Sequence, residues 1–99
     1  IVVNIVDFGM NVQEAGDVAR YRHKGSTDAT WTGRMQDGGI LELESGVTRS
    51  VVEELERRGH AVEITKGPFG GYQAIWRDPK TGVYYGASEM RKDGMAIGY

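Results

Sequence analysis

Among the side chains that could serve as base, nucleophile or acid, His23 and His60, Ser45, Ser50 and Ser88, and Glu42, Glu44, Glu53 and Glu54 stand out. A histidine does general-base or metal chemistry when a carboxylate or a second ligand stands beside it. Neither histidine has metal-ligand spacing or an acidic cluster alongside, so both read as structural. The serines lack a G-x-S-x-G elbow, the sharp turn that presents a nucleophile. The four glutamates fall on the polar faces of their segments and read as solvated surface, since nothing in the pattern buries or pairs them to raise a pKa. Gly67, Gly70 and Gly71 in "KGPFGGYQ" invite a phosphate-loop reading. A phosphate loop leads into a helix whose N-terminus faces the anion, whereas these glycines lead into a strand-like run, so a turn between strands fits better. "MRKDGM" (90–95) reads as a small surface patch or as an internal salt-bridge element. The chain has no cysteine, which excludes thiolate nucleophiles, zinc-thiolate sites and disulfides within it. The residues alone therefore indicate no catalytic, cofactor-binding or metal-ligating position.

The elements that would position any such site must fit in 99 residues, one domain at most or part of one. Glycine, 15 of 99 residues, is about twice its usual share, which favours a fold rich in turns over a helical bundle. The formal net charge is −2 and Lys and Arg are dispersed, "RYRHK" (20–24) being the densest basic stretch, so no electrostatic footprint for nucleic acid is present. No run approaches the ~18–20 apolar residues of a membrane-spanning helix. The chain opens inside an apolar run, "IVVNIVDFG", without an initiator Met, and the expectation is a piece of a longer protein.

That opening run is ambiguous: its spacing fits a helix, while its β-branched residues favour a strand. Asn11 followed three residues later by Glu14 has capping-box spacing and predicts a short helix from about Val12 to Ala19, with Gly16 weakening it. "RYRHK" reads as a strand, residues 25–39 as a long polar loop anchored by Trp31, and "ILELES" (40–45) as a strand. "VTRSVVEELERRGH" (47–60) carries the strongest helix signal. Thr48 or Ser50 is its cap, Ser50 with Glu53 has capping-box spacing, and Val51, Val52 and Leu55 form its apolar face. Glu53–Arg57 and Glu54–Arg58 are i,i+4 pairs, and Gly59 is the left-handed residue after the helix. "HAVEIT" (60–65) follows as a strand. Tyr72 to Arg77 and Val83 to Ala87 then form a hairpin around the "DPKTG" turn, and the tail from Glu89 has no periodicity.

Two stretches carry a family resemblance. "VVNIVDFGMNVQEAGDVAR" (2–20) resembles a V-x-N, D-x-x-M-N-x-x-E-A segment of the gamma-glutamyltransferases, and "YYGASEMRKDGMAIGY" (84–99) resembles their extreme C-terminus. "LELESGVTRSVVEELERRGHAVE" (41–63) and "GGYQAI" (70–75) fall in the family's order and spacing between them, so the resemblance covers essentially the whole chain. Ala19 stands where Pro is common, and Glu89-Met90 where Asp-Pro is usual. Cephalosporin acylases share the C-terminal pattern.

The resemblance implies an α+β fold: the C-terminal part of an αββα sandwich of the N-terminal-nucleophile hydrolases, mainly antiparallel strands with two to three helices, residues 1–99 being one partial domain. It implies that residues 1–9 are helical. It also implies a parent that transfers or hydrolyses gamma-glutamyl groups of glutathione-type substrates through an N-terminal Thr created by autoprocessing, the Thr's own amine serving as base. That Thr, a serine pair and a glycine-pair oxyanion hole would precede Ile1, so the resemblance places no catalytic residue, cofactor or metal on this chain. The partners implied are the remainder of the small subunit and the large subunit, with self-association of an isolated fragment through its apolar face. A periplasmic, secreted or cell-surface location is implied by the resemblance alone. The alternatives are a related amidase or acylase on the same scaffold, and a non-catalytic α+β interaction domain.

Overall fold

The computed structural model describes residues 1–25, 38–67 and 69–98. In chain order the elements are α1 (Val2–Val6), α2 (Val12–Asp17), β1 (Tyr21–Lys24), β2 (Ile40–Leu43), α3 (Arg49–Arg57), β3 (Ala61–Ile64), β4 (Gln73–Arg77) and β5 (Tyr84–Ser88). They fall into two compact units, one made of Ile1–Val18 with Gly70–Tyr99, the other of Ala19–Phe69. Trp31 and most of the loop expected at 25–39 lie outside the described residues.

In the first unit, α1 is a single turn or so of helix with four β-branched residues among its five. So short a helix is marginal in water and its Val and Ile side chains disfavour it further, so packing has to hold it. It packs on α2. The helical expectation therefore holds for Val2–Val6, while Phe8 and Gly9 leave it: Gly9, at φ +66°, turns the chain and lets Met10 N–H donate to Asn4 C=O at 3.0 Å. The capping box is present in both halves. Asn11 Oδ1 accepts from the N–H groups of Gln13 and Glu14, each at 2.9 Å, and Glu14 Oε2 accepts from Asn11 N–H at 2.9 Å. The helix ends at Asp17, two residues before the expected Ala19.

α2 packs on the hairpin of β4 and β5. Gln73↔Ser88 and Arg77↔Tyr84 bound its antiparallel register. Asp78 organises the turn: its carboxylate accepts from Lys80 N–H at 2.8 Å and from Thr81 hydroxyl at 2.7 Å, and Gly82 supplies a φ of +75°. Strand alternation sorts the hairpin's faces. Ala74, Trp76, Tyr85 and Ala87 share one face, on which Ala87 is buried, and Gln73, Ile75, Tyr84 and Gly86 share the other.

In the second unit, β1-β2-β3 is the strand order. β1 and β2 are antiparallel, Arg22 opposite Glu42, but β2 and β3 are parallel, Leu41 opposite Val62. Two of the three described strand pairings are thus antiparallel, as expected, and β2–β3 is the parallel one: α3 is the crossover that returns the chain to the start of the sheet, and a helical crossover joins parallel neighbours. α3 packs on β3, with Val52 and Leu55 half-buried. Thr48 is its N-cap residue without a side-chain cap bond, and Ser50 lies inside the helix, so the Ser50–Glu53 capping box does not form. The C-terminus closes as a Schellman motif. His60 N–H donates to Leu55 C=O at 3.1 Å and Gly59 N–H to Glu56 C=O at 2.9 Å, with Gly59 at φ +92°. His60 lies in this cap, and β3 begins one residue later.

Among the described residues, the buried apolar ones are few and mostly small: Val12, Ala15, Leu43 and Ala87. Val2, Val6, Phe8, Ile75, Tyr84, Met90, Met95 and Ile97 are among the large apolar side chains left exposed.

Gly16, the residue that weakens α2 on propensity, is explained by Tyr72. A Cβ there would stand 2.5 Å from Tyr72 Cδ1 and 2.7 Å from Cε1, against an aromatic ring. Gly16→Ala would gain about 0.5–1 kcal/mol of helix propensity, whereas overpacking costs about 1–3 kcal/mol. The expected net outcome is a lower thermal midpoint, measured by circular dichroism; a raised midpoint would show that the ring gives way freely.

Candidate functional site

His23, Ser50 and Ser88 each make polar contacts of a structural kind. His23, on β1, has Nε2 2.6 Å from Gly38 C=O. Ser50 Oγ lies 3.2 Å from Thr48 Oγ1. Ser88 closes the end of the hairpin: its hydroxyl accepts from Gln73 Nε2 at 3.1 Å, its N–H donates to Gln13 Oε1 at 3.3 Å, and its carbonyl accepts from Gln13 Nε2 at 3.0 Å. Gly70 and Gly71 lead into β4, as the turn reading requires, and Gly67 N–H donates to the Thr65 hydroxyl at 3.1 Å. Among the described residues, no group of three or more His, Asp or Glu is placed to hold a metal ion, and no helix is long and apolar enough to cross a membrane.

Among the described residues two carboxylates are buried, and one of them, Glu42, departs from the solvated-surface reading. Glu42, expected on a polar face, is only 3% exposed. The β1–β2 register sets it opposite Arg22, whose Nε donates to Glu42 Oε2 at 2.6 Å and whose Nη2 pairs with the same oxygen. Lys24 Nζ stands 3.5 Å from Oε1. The hydrogen bond from Arg22, with the charges of Arg22 and Lys24, holds the Glu42 carboxyl below its ordinary value against the opposing effect of burial. Arg22 also lies over the Phe69 ring, 6.0 Å from its centroid, and Arg20 Nη1 donates to Phe69 C=O at 3.1 Å. Glu44, half-buried, accepts from Arg20 N–H at 2.8 Å. A depressed carboxyl held by two cations is a poor proton donor or base, and the cluster ties a strand and a loop together.

Glu89 is the second buried carboxylate, and Arg91 of "MRKDGM" pairs with it, while Met90 and Met95 of the same stretch are exposed. Arg91 Nη1 donates to Glu89 Oε2 at 2.7 Å and to Gly16 C=O at 2.8 Å, and its Nη2 donates to Val18 C=O at 3.0 Å. Glu89 Oε1 accepts from Tyr72 N–H at 3.2 Å. The guanidinium thus caps the carbonyl end of α2, where a cation is favoured, while the carboxylate holds the entry to β4. On α3, Glu54 and Glu53 are surface residues as expected, but their partners differ. Glu54 pairs with both Arg57 and Arg58, each at 2.7 Å, and Glu53 pairs with Arg49 at 2.7 Å, so the Glu53–Arg57 pair does not form. Hydrogen bonds from Arg57 and Arg58 lower the Glu54 carboxyl, and the bond to Glu54 raises Arg57.

An open groove of about 690 Å³ runs between the helices and the hairpin in the first unit, lined by Ile5, Met10, Val12, Trp76 and Tyr85 among others. Its polar members, Asn11 and Gln13, are engaged in the α2 cap and in the Asp17 and Ser88 bonds, so the groove presents apolar surface.

A profile of the family described as "Gamma-glutamyltranspeptidase" matches residues 1–99. The chain is 35% identical over 96 residues to the acylase ACY 1 proenzyme of Pseudomonas sp. (strain V22), which spans 97% of this chain and 15% of that protein. It is 33% identical over 100 residues to the glutathione hydrolase proenzyme of Escherichia coli (strain K12), spanning 100% of this chain and 15% of that protein. Among solved structures, a cephalosporin acylase from Bacillus halodurans superposes with a TM-score of 0.75 at 35% identity, over 99% of this chain and 17% of that one. The chain thus spans about 15% of the length of these curated relatives.

The lowered carboxyls set a pH dependence. Glu42, Glu54 and Asp78 each titrate lower in the folded chain than in the unfolded one, because arginine hydrogen bonds hold the two glutamates and Thr81 with the turn backbone holds Asp78. Their contribution is complete above the unfolded carboxyl values, about pH 4, and is lost as pH falls through the folded values. Thermal midpoints are therefore expected to fall steeply on acidification below about pH 4, and Glu42→Gln to flatten that slope while lowering the midpoint at neutral pH. Superimposable pH profiles for the two chains would remove Glu42 from this account.

Proposed function

The chain belongs to the gamma-glutamyltranspeptidase family, and from that premise we propose that it is the C-terminal part of the small subunit of an amide-cleaving member, supporting a site whose reacting groups lie elsewhere in the parent. The observation that carries this reading is the coverage: a match over residues 1–99 that accounts for only about 15% of each curated relative. The engagement of His23, Ser50, Ser88, Glu42 and Glu89 in structural bonds agrees with a supporting role.

The parent would work as an N-terminal-nucleophile hydrolase of αββα architecture. A Thr hydroxyl would give its proton to the Thr amine and attack an amide carbonyl. The amine half of the substrate would leave with a proton, and the resulting ester would be resolved by water or by an acceptor amine. In this reading the rest of the sandwich covers the apolar side chains that this segment leaves open. α1 presents Val2 and Val6 at 72% and 70% exposure, and the hairpin face of Ile75 and Tyr84 is similarly open. Patches of this kind on soluble proteins mark contact surfaces.

Two substrate classes are in play. Gamma-glutamyl amides follow from the family and from the likeness to a glutathione hydrolase proenzyme, and acyl amides of the cephalosporin type from the likeness to the acylases. Identities of 33% and 35% do not separate them, so both belong in one assay.

The full-length parent is expected to turn over a gamma-glutamyl anilide or an acylated cephalosporin nucleus, and to lose that activity when the Thr exposed by processing becomes Ala. A parent that neither processes itself nor cleaves either amide would leave the non-catalytic interaction domain as the reading. The 99-residue chain alone is expected to show no turnover above a buffer blank; turnover by material free of host enzyme would overturn the supporting role. Isolated, the chain is expected to self-associate through α1 and the hairpin in sedimentation experiments, and Val2→Asp with Val6→Asp to reduce it. A monodisperse monomer at high concentration would count against a buried location for this face.

A further inference from the structure

β5 contains a glycine that its own strand does not need. Gly86 lies inside the strand opposite Ile75, and its φ is not in the left-handed range that would require glycine. Glycine in a strand interior weakens the strand, and one recurring reason for it is the close approach of another stretch of backbone. Here that stretch is the tail. A Cβ on Gly86 would stand 2.8 Å from Ala96 Cβ and 3.9 Å from Ala96 Cα. Ala96 Cβ is fixed to the main chain and has no rotamer with which to move away, so a side chain at 86 displaces the tail itself.

Two further glycines mark the tail's course. A Cβ on Gly71 would stand 2.5 Å from Lys92 Cγ, and a Cβ on Gly94 would overlap the Gln73 side chain. Both of these neighbours are flexible side chains that can swing aside, which singles out Gly86 as the position where room is decisive. Gln73, Ile75, Tyr84 and Gly86 share the hairpin face opposite Ala87, and Met95, Ala96, Ile97 and Gly98 flank that face along an open groove of about 700 Å³. The tail therefore lies across the face opposite the one that carries Ala87. Its root is fixed separately, by the Arg91 bonds to Glu89, Gly16 and Val18.

We propose that residues 92–98 form a strap that docks on and releases from the hairpin as its own unit, hinged at the Arg91 clamp and admitted by the absence of a side chain at Gly86. Docked, it covers part of the hairpin face; released, it opens that face without unfolding β4 and β5. Removing room at 86 should release it and leave the hairpin intact, since an alanine or valine in β5 suits the strand better than glycine does.

The test is limited trypsin digestion of the full-length parent with peptide mass readout, comparing cleavage after Lys92, in the strap, with cleavage after Arg77 and Lys80, at the hairpin turn. Overpacking by one to three methylenes implies an acceleration of roughly fivefold to a hundredfold after Lys92 in Gly86→Val, and a smaller one in Gly86→Ala. The rates after Arg77 and Lys80 should stay at the level of the unaltered protein. Adding Ala96→Gly to Gly86→Ala removes the opposing methyl and should return the Lys92 rate toward that level. An unchanged Lys92 rate in Gly86→Val, a parallel rise at Arg77 and Lys80, or failure of the double variant to restore protection would each overturn the strap. The readout does not depend on which amide the parent cleaves, or on whether it cleaves one.

Discussion

The Glu89–Arg91 pair holds together three parts of the first unit that the sequence keeps far apart. One guanidinium reaches the carbonyls of Gly16 and Val18 at the end of α2 while bonding the carboxylate, and the carboxylate's other oxygen takes the Tyr72 N–H at the start of β4. A buried ion pair of this kind adds little net stability over a well-packed apolar substitute, because desolvating both charges offsets most of their attraction. Removing one partner is different, costing about 3–5 kcal/mol, since it strands the other charge. The pair therefore specifies an arrangement more than it stabilises one, and the arrangement is the position of α2 against the hairpin. Tyr72 completes it by laying its ring on Gly16, which explains why a helix that gives up propensity there still forms.

The second unit repeats the strategy with other residues. Glu42 is buried in the middle strand and satisfied by Arg22 and Lys24 across the β1–β2 register, while Arg20 and Arg22 reach over to Phe69. Both units thus place a carboxylate where a large apolar residue would otherwise sit. This fits the small apolar core: among the described residues, Leu43 is the buried large apolar side chain of the second unit, and Val12, Ala15 and Ala87 are the buried apolar residues of the first. Little burial means little hydrophobic stabilisation, and hydrogen-bonded ion pairs fix geometry without needing volume.

What was legible in the sequence follows the range of the interactions involved. The α2 capping box, the Gly59 cap and the Asp78–Gly82 turn each close within about six residues, and each was readable from residue type and spacing. α1 was not, because β-branched residues and a five-residue length argue against a helix until packing is included; only the family pattern pointed to it. The burial of Glu42 was hidden because it depends on which residue of β1 lies opposite, and a shift of one residue would turn it to the other face. Parallel pairing of β2 with β3 depends on the path of α3, which alternation within a strand does not report. On α3 the charge pattern allowed several pairings. The chain uses Arg49–Glu53 and a shared Glu54, since one carboxylate accepts from two arginines that flank it on the same helical face.

The distribution of apolar surface gives the remaining step. A stand-alone domain of this size would place its largest apolar side chains inward, yet Phe8, Ile75, Tyr84, Met95 and Ile97 are each more than two-thirds exposed. They are not scattered: Ile75 and Tyr84 share one hairpin face, and Met95 and Ile97 lie on the tail that crosses it. The opposite face carries Trp76, Tyr85 and the buried Ala87 toward α2. Under the proposed reading, a two-stranded ribbon with helices on one face and apolar residues on the other would be one part of a layered structure, which closes by packing a second sheet on the open face. The tail already occupies part of that face. Under that reading, a second layer would pack on the strands and leave the strap room beside them, since the tail already lies against Gly86.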